Sequence, residues 1–314
     1  MKSSLFYSKI LLFGEYGIIK NSKGISIPYD LFKGFLKIGD LNNKIVKKSN
    51  GKLNDFYQYL VSSYEINSLF DLEQFKSDID DGLYFESSIP QGYGIGSSGA
   101  LVAAVYDSYA IDKVTILENL DSEKILSLKK VFSSMESFFH GKSSGLDPLN
   151  SYLSLPILIN SKTDIKTTGI PFQNRKGKGG FFIIDSGLSS DTESLVKYFI
   201  ESMNNEDFKN IFESSFVNVT DKCVDDFIDG NFKNLFTNIK SLSKIVFDNF
   251  KPMIPDSFYK VWENGLKSED YILKLCGSGG GGYILGFTKD LNKAQKQLSE
   301  YNFKVVYRLS LIHI

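Results

Sequence analysis

Residues 90–100 (PQGYGIGSSGA) decide how this chain is interpreted, because three alternating glycines stand directly before a run that favours a helix. Residues 83–89 alternate like a strand, and residues 99–110 (GALVAAVYDSYA) predict a buried helix rich in Ala and Val. Successive glycines let backbone N–H groups converge on an anion, and the positive N-terminus of the following helix points at the same place. The stretch therefore predicts a phosphate-binding loop, to which Ser97 and Ser98 add hydroxyls for phosphate or Mg²⁺. The alternative is that one serine merely caps the helix.

The same loop contains a GxGxxG pattern at residues 94–99, which is also the fingerprint of dinucleotide-binding folds. Asp112 even supplies the acidic residue that such folds need about 20 residues further on. However, the helix needs roughly residues 97–109, which leaves almost no room for a second strand that should end at Asp112. Pro90 and Gln91 also separate the preceding strand from the glycines. The pattern is therefore assigned to phosphate binding.

A second glycine-rich loop lies at residues 274–282 (KLCGSGGGG), between two apolar runs that predict strands. Five glycines in six positions are costly in backbone entropy, and a plain hairpin needs only one or two. Close approach of the backbone to a ligand or to the first loop is the favoured explanation. The sequence contains no GxxxxGK[ST], which excludes a P-loop NTPase.

The composition excludes several other classes of protein. The formal net charge of −1 gives no electrostatic basis for binding nucleic acid or an anionic membrane, so neither partner is expected. Cys223 and Cys276 are the only cysteines, and their wide separation supports neither a disulfide framework nor a zinc site. A reducing, cytoplasmic setting is expected. The 314 residues suggest one large or two medium domains, and strands and helices alternate without a regular βαβ rhythm, which favours an α+β fold.

The N-terminal residues 1–19 are apolar enough to be compared with a signal peptide. Lys9 and Glu15 interrupt the apolar run, and no small-residue cleavage site follows, so that interpretation is rejected. Residues 8–19 (SKILLFGEYGII) instead predict two short apolar runs around a turn at Gly14 and Glu15. Lys9 is then either a strand-edge residue whose ammonium reaches water or a catalytic charge near bound phosphates.

Two acidic residues form a further candidate site. Glu136 and His140 are four residues apart on a predicted helix and share a face, and Asp147 follows in the glycine-bearing segment 140–147 (HGKSSGLD). Phosphoryl transfer needs Mg²⁺ and a group that orients or deprotonates the attacking hydroxyl. Glu136 as a metal ligand and Asp147 as a base would meet both needs. The alternatives are a solvated Glu on a helix face and an Asp in a surface turn, and His140 is interpreted as a structural, hydrogen-bonded histidine.

In this order the motifs resemble those of the GHMP kinase superfamily, which is named for galactokinase, homoserine kinase, mevalonate kinase and phosphomevalonate kinase. Residues 9–19 (KILLFGEYGII) resemble its N-terminal motif, residues 90–100 its ATP loop PxxxGLGSSAA, and residues 274–282 its C-terminal glycine motif. The segment from Glu136 to Asp147, including its eleven-residue spacing, is most similar to that of the mevalonate kinases. The resemblance spans nearly the whole chain.

The resemblance implies the GHMP two-lobe α+β fold. Residues 1–172 would form an N-terminal lobe like domain 2 of ribosomal protein S5, and residues 173–314 a ferredoxin-like C-terminal lobe, with ATP in the cleft between them. It also implies a cytoplasmic kinase that uses ATP and Mg²⁺ to phosphorylate a small alcohol, with mevalonate favoured. A homodimer is compatible with this family.

The resemblance further implies roles for individual residues. Asp147 would be the base for the substrate hydroxyl, and Lys9 beside it would favour the developing alkoxide. Ser98 and Glu136 would hold Mg²⁺. The residues implied in nucleotide binding are Gly92, Gly94, Gly96, Ser97, Ser98, Gly279 and Gly280. Those implied near the alcohol substrate are Glu15, Tyr16, Ser144 and Thr192.

The chain departs from the family pattern at a few positions. Tyr16 replaces a common histidine, Ser143 a common proline, Cys276 a common threonine and Gly99 a common alanine. Tyr16 leaves phosphomevalonate or another small alcohol open as the acceptor. A phosphomevalonate kinase would need extra cations near the acceptor, for which Lys142 and residues 175–178 (RKGK) are candidates.

A third hypothesis is a nucleotide-binding protein without catalytic activity. It is disfavoured because Lys9, Ser98, Glu136 and Asp147 are all retained. Residues 309–314 (LSLIHI) look more like a translated sequencing adaptor than a native terminus, so His313 is given no role.

Overall fold

The computed structural model describes residues 4–115, 120–174 and 176–309. Two of the sequence predictions concern residues outside these ranges. They are the role of Arg175 as a phosphate-binding cation and the adaptor-like tail from residue 310 onward, which includes His313. The chain divides into two compact units. The first unit comprises Met1–Lys9, Ile27–Pro90 and Gly96–Leu155, and the second comprises Ile10–Ser26, Gln91–Ile95 and Pro156–Ile314. The boundary at residue 172 stays a prediction.

Strands β1 (Phe6–Phe13) and β2 (Gly24–Ile38) contribute residues to both units. In the first unit, the end of β2 pairs antiparallel with β3 (Leu83–Ser87), from Gly34 opposite Ser87 to Ile38 opposite Leu83. The described helices of this unit are α1 (Lys44–Ser62), α2 (Leu72–Asp80), α3 (Ser97–Tyr109), α4 (Ser122–His140) and α5 (Leu146–Leu153), with a short 3₁₀ turn at Asn67–Leu69.

Helix α3 forms the centre of the first unit. Its residues from Val102 to Val105 are completely buried, and their small side chains let α5 pack closely against it. The helix predicted after the first glycine loop is therefore confirmed. Its N-cap is Gly96, with φ of 82° and no capping side chain, so the alternative in which Ser97 or Ser98 only caps the helix is wrong.

The second unit contains a four-stranded antiparallel sheet in the order β7-β8-β6-β9. Its strands are β6 (Gly180–Asp185), β7 (Ile272–Leu275), β8 (Tyr283–Thr288) and β9 (Phe303–Arg308). Helices connect β6 to β7 and β8 to β9, so the chain order is βαββαβ with β6 and β8 in the middle. This is the ferredoxin-like arrangement, and the α+β fold expected from the sequence is confirmed.

In the second unit, the start of β2 also pairs antiparallel with β4 (Ile157–Ile159), and β4 pairs with β5 (Ile165–Thr167). The described helices of this unit are α6 (Thr192–Ser202), α7 (Glu206–Ile211), α8 (Val217–Ile228), α9 (Phe232–Asn249), α10 (Tyr259–Ser268) and α11 (Leu291–Gln297). A π-helical turn at Phe212–Phe216 joins α7 to α8, and 3₁₀ turns lie at Gly17–Lys20, Lys251–Met253 and Asp256–Phe258. Among the described residues, no helix has the length and apolar character needed to cross a membrane.

The apolar run at residues 152–160 predicts a single strand, and that prediction is wrong, because α5 continues through Leu153 and the strand is only Ile157–Ile159. Tyr152 and Leu153 are buried in the helix, and a short apolar run does not by itself distinguish a buried helix from a strand. The helical spacing of aromatics and leucines at residues 52–69 predicts a helix there. The observed helix α1 covers Lys44–Ser62, and at its start the Asn43 side chain accepts a hydrogen bond from the Ile45 N–H.

Candidate active site

The first unit brings Lys9 and Asp147 together. The Nζ atom of Lys9 on β1 lies 2.9 Å from Oδ1 of Asp147 in the first turn of α5. The Lys9 side chain is only 7% exposed, whereas that of Asp147 is 36% exposed, so the carboxylate is the member of the pair that a substrate can reach. The Ser151 hydroxyl on α5 donates to the Tyr7 carbonyl oxygen at 2.8 Å and fixes α5 against β1. The alternative of Lys9 as a strand-edge residue reaching water is wrong.

Two glycines place the N-terminus of α3 against this ion pair. A Cβ atom on Gly96 would lie 3.1 Å from Cγ of Lys9 and 3.7 Å from Oδ2 of Asp147. A Cβ atom on Gly99 would lie 2.7 Å from the carbonyl carbon of Asp147 and the nitrogen of Pro148. Gly99 therefore stands where the chain needs the closest approach between α3 and α5, which explains why alanine is absent there.

Glu136 lies beside Ser98 and is only 3% exposed, so the alternative of a solvated glutamate on a helix face is wrong. Ser98 Oγ donates to Glu136 Oε1 at 3.1 Å, and Ser143 Oγ donates to Oε2. Burial raises the pKa of the Glu136 carboxyl from 4.5 to about 8, and the nearby charge of Asp147 adds to the increase. The hydrogen bonds from the two serines and the charge of Lys9 oppose it.

His140 ends α4 and is exposed, and its Nε2 atom lies 3.0 Å from Ser98 Oγ. Its interpretation as a hydrogen-bonded histidine is confirmed, although the sequence did not indicate its partner. Ser144 is exposed, and its hydroxyl oxygen accepts a hydrogen bond from the Leu146 N–H at 3.3 Å. Lys142 is also exposed in this loop.

The donor set around Glu136 fits Mg²⁺. A carboxylate and a hydroxyl 3.1 Å apart are hard oxygen donors of the kind that Mg²⁺ prefers. A buried carboxyl that resists ionisation gains most from a cation, because the positive charge offsets the cost of burying the negative one. The first unit thus places an acid–lysine pair and a candidate cation site at the start of one helix.

In the second unit, residues 91–95 of the first glycine loop lie against the second glycine loop (residues 274–282). A Cβ atom on Gly94 would lie 2.7 Å from the Cys276 carbonyl oxygen, and one on Gly282 would lie 2.5 Å from Cα of Tyr93. Gly92 and Gly94 both have φ above +70°, a region that side chains rarely adopt. The expected close approach of the two loops is therefore confirmed.

Gly279 and Gly280 lie in the second loop and are already enclosed by protein. A Cβ atom on Gly279 would lie 2.4 Å from the Met253 carbonyl oxygen, and one on Gly280 would lie 2.6 Å from Cδ1 of Leu195. The Gly280 N–H donates to the Met253 carbonyl oxygen at 2.6 Å. Packing within the unit therefore requires glycine at both positions.

Tyr16 and Thr192 both contact Ser278 of the second glycine loop. The Tyr16 hydroxyl donates to the Ser278 carbonyl oxygen at 2.6 Å, and Thr192 Oγ1 lies 3.1 Å from Ser278 Oγ. Tyr16 is 5% exposed, has φ of 58°, and packs its ring 4.7 Å from that of Phe199. Burial raises the pKa of its phenol, with a smaller contribution from Glu15, so the group remains a donor. Two of the residues expected near the alcohol therefore meet at one point of this unit.

Glu15 forms a buried ion pair with Lys274, which the sequence interpretation missed. Their side chains are 6% and 2% exposed, and Lys274 Nζ also donates to the Leu275 carbonyl oxygen at 2.9 Å. The signal was present, since each charge interrupts an apolar strand-like run and a buried charge needs a partner. A single sequence did not reveal that these two runs are neighbours.

The comparisons with known proteins agree with this fold. Residues 56–154 match the family model described as the GHMP kinases N terminal domain. A mevalonate kinase from Archaeoglobus fulgidus is 24% identical over 189 residues, which covers 60% of this chain and 60% of that protein. The match thus spans less than two thirds of the relative's length.

Two solved structures illustrate the likeness. The L. major mevalonate kinase in complex with R-mevalonate has a TM-score of 0.63 at 17% identity, over 95% of this chain and 90% of that chain. The Streptococcus pneumoniae phosphomevalonate kinase in complex with phosphomevalonate and AMPPNP has a TM-score of 0.63 at 12% identity, over 98% and 99% of the two chains.

The chain therefore has the fold of the GHMP kinases, and residues 56–154 match the model of their N-terminal domain. The resemblance drawn from the three sequence motifs is confirmed. Within the superfamily, the chain is similar in sequence to a mevalonate kinase and in structure to mevalonate and phosphomevalonate kinases.

Proposed function

We propose that this protein is a kinase that transfers the γ-phosphoryl group of ATP to the hydroxyl of a small alcohol, with mevalonate as the favoured acceptor. The observation that carries the proposal is the group formed by Lys9, Asp147, Ser98 and Glu136 at the start of α3. It combines a reachable carboxylate held by a buried ammonium with a second carboxylate held by a serine hydroxyl. These are the groups that phosphoryl transfer requires.

Asp147 is the base in this proposal. As the acceptor oxygen attacks the γ-phosphorus, its proton passes to the Asp147 carboxylate, and the bond between the γ-phosphorus and the bridging oxygen of ADP breaks. Lys9 supplies positive charge 2.9 Å from that carboxylate, where negative charge develops on the acceptor oxygen. The partial exposure of Asp147 leaves room for an alcohol to approach.

Ser98 and Glu136 are the residues that would hold Mg²⁺. When bound there, the ion would neutralise charge on the phosphate oxygens of ATP. Ser98 stands in the first turn of α3, whose N-terminal N–H groups favour an anion. The same turn contains Ser97, and Gly96 precedes it without a side chain, so both are assigned to phosphate contact.

The glycine loops of the second unit are assigned to the nucleotide through Gly92, Gly94, Gly279 and Gly280. The Gly280 N–H is already bonded to the Met253 carbonyl oxygen, so it is not a donor for the nucleotide, and the missing side chain of Gly280 leaves room for Leu195. Glu15, Tyr16, Ser144 and Thr192 are assigned to the acceptor. The contact of Tyr16 and Thr192 with Ser278 supports this for two of them.

Mevalonate is favoured as the acceptor because the sequence relative and one of the structural neighbours are mevalonate kinases. Phosphomevalonate is the second candidate, supported by Lys142. This lysine is exposed in the loop that also carries Ser144 and Asp147, and it could pair with a phosphate on the acceptor.

A coupled assay of ADP release with mevalonate, phosphomevalonate, galactose and homoserine tests the proposal. Turnover that is fastest with mevalonate is the expected result. A preference for phosphomevalonate that Lys142→Ala abolishes would support the second candidate. ATP binding without turnover of any alcohol would overturn the proposed activity and favour a non-catalytic nucleotide-binding protein.

A further inference from the structure

We propose that Ser143 is a positioning residue that holds the Glu136 carboxylate in the orientation needed for a divalent cation. This inference rests on the proposed function, in which Glu136 and Ser98 hold the metal. Ser143 itself is not assigned to the metal or to a substrate.

Ser143 is placed so that both oxygens of the buried carboxylate are held. Ser98 Oγ donates to Oε1 at 3.1 Å, and Ser143 Oγ donates to Oε2. Glu136 is 3% exposed, so water cannot readily replace the donor on Oε2. A carboxylate bonded at one oxygen only could rotate about its last side-chain bond, whereas bonds at both oxygens fix its plane. Oε1 is then directed at Ser98.

Ser143 is itself anchored on both sides. Its hydroxyl oxygen accepts a hydrogen bond from the Gly145 N–H at 3.1 Å, and its carbonyl oxygen accepts one from Ser133 Oγ at 2.5 Å. Ser133 lies on α4, and Gly145 is the N-cap of α5, two residues before Asp147. The Ser143 hydroxyl therefore connects the glutamate on α4 to the loop that carries Asp147.

The geometry also distinguishes Ser143 from an ordinary loop serine. Gly145 has φ of 72°, and a Cβ atom there would lie 2.3 Å from the Lys129 carbonyl oxygen, so the loop is pressed against α4 at this point. In that position the serine hydroxyl is directed inward at a buried acid. A proline at this position would have neither a hydroxyl nor an N–H and could not make this contact.

Binding of Mn²⁺ in the presence of the β,γ-imido analogue of ATP, followed by electron paramagnetic resonance, tests the proposal. Ser143→Ala should weaken Mn²⁺ binding by about 10- to 100-fold, the usual effect of removing a partner of a metal ligand. Ser143→Thr keeps the hydroxyl and should bind Mn²⁺ within about threefold of the unmodified protein. The control is Ser137→Ala on α4, whose hydroxyl donates to the Ser133 carbonyl oxygen, and it should bind Mn²⁺ normally.

Unchanged Mn²⁺ affinity in Ser143→Ala would overturn the proposal, and so would Ser143→Thr binding as weakly as Ser143→Ala. Thermal unfolding of each variant identifies loss of folding. If Ser143→Ala does not fold, Ser143→Cys is measured instead. Its thiol is similar in size and only a weak donor, so this variant should also bind Mn²⁺ more weakly than the unmodified protein. Failure of every alcohol in the ADP-release assay would contradict the proposed activity. The Mn²⁺ measurement is independent of turnover, so the two failures can be told apart.

Discussion

Glu136 should make the stability of this protein depend on pH when no divalent cation is present. Its carboxyl is buried, and its pKa is raised from 4.5 to about 8. A carboxyl whose pKa is higher in the folded state favours folding most below its unfolded pKa, and this contribution is lost as pH rises through the folded value. The fold should therefore weaken between about pH 5 and pH 8, which is opposite to the behaviour of a salt-bridged carboxylate.

The size of the effect follows from the two pKa values. Each pH unit between them costs about 1.4 kcal/mol, because the unfolded chain releases the proton and the folded protein does not. Because the slope flattens as pH approaches the folded pKa, the change across pH 5 to pH 8 is on the order of 3 to 4 kcal/mol from one side chain. Typical domains are stable by only about 5–15 kcal/mol, so the change should be readily measurable.

Urea unfolding in EDTA at several pH values is the assay, with the unmodified protein compared with Glu136→Gln. The variant cannot ionise at this position, so its free energy of unfolding should not show this decline. The stability of Glu136→Gln relative to the unmodified protein should therefore increase as pH rises from 5 to 8. Glu65→Gln, a substitution of an exposed glutamate in the same unit, should retain the decline. Adding Mg²⁺ should stabilise the unmodified protein at pH 8 and not Glu136→Gln. Identical pH dependence in Glu136→Gln and the unmodified protein would refute the reasoning.

Three further substitutions test other parts of the molecule. Asp147→Asn should lower kcat by at least ~100-fold, the usual effect of losing a general base, while ATP still binds; near-normal ADP release would contradict the role of Asp147. Lys274→Met should destabilise the protein in urea by about 3–5 kcal/mol, because it leaves Glu15 buried without its ammonium. Adding Glu15→Gln should recover much of that loss, and no recovery would count against the pair. Gly94→Ala should cost about 1–3 kcal/mol, since its φ is +73° and a Cβ atom would lie 2.7 Å from a carbonyl oxygen of the second glycine loop. Gly169→Ala, with open space around it, is its control and should unfold at nearly the same urea concentration.

The sequence predicted the parts of the fold and site that depend on local pattern. The glycines before α3 and the Ala- and Val-rich run after them identified the helix. The motifs also selected Lys9 and Asp147, which the structure joins at 2.9 Å, and Ser98 and Glu136, which it joins at 3.1 Å. Phosphoryl transfer requires these charges to lie close together in space, and the motifs selected residues that the fold does bring together.

Contacts between distant segments could not be predicted in this way. The pairing of Glu15 with Lys274 joins residues 259 positions apart, and periodicity contains no information about that neighbour. The inward direction of Ser143 depends on how its loop packs against α4, which residue type alone does not indicate. The length of α5 was misjudged for a related reason, since burial on all sides removes the polar alternation that marks a strand or helix.

The ion pair between Glu15 and Lys274 also has a consequence for synthesis of the chain. Residues 10–26 belong to the second unit, yet the partner of Glu15 is added 259 residues later. At about 5–20 residues per second, the ribosome needs roughly 10 to 50 s to supply it. During that time an apolar segment that includes Phe13 lacks its final neighbours, such as Phe287. The first unit has all of its residues once Leu155 emerges, so residues 10–26 are the part of the second unit that waits longest for its neighbours during synthesis.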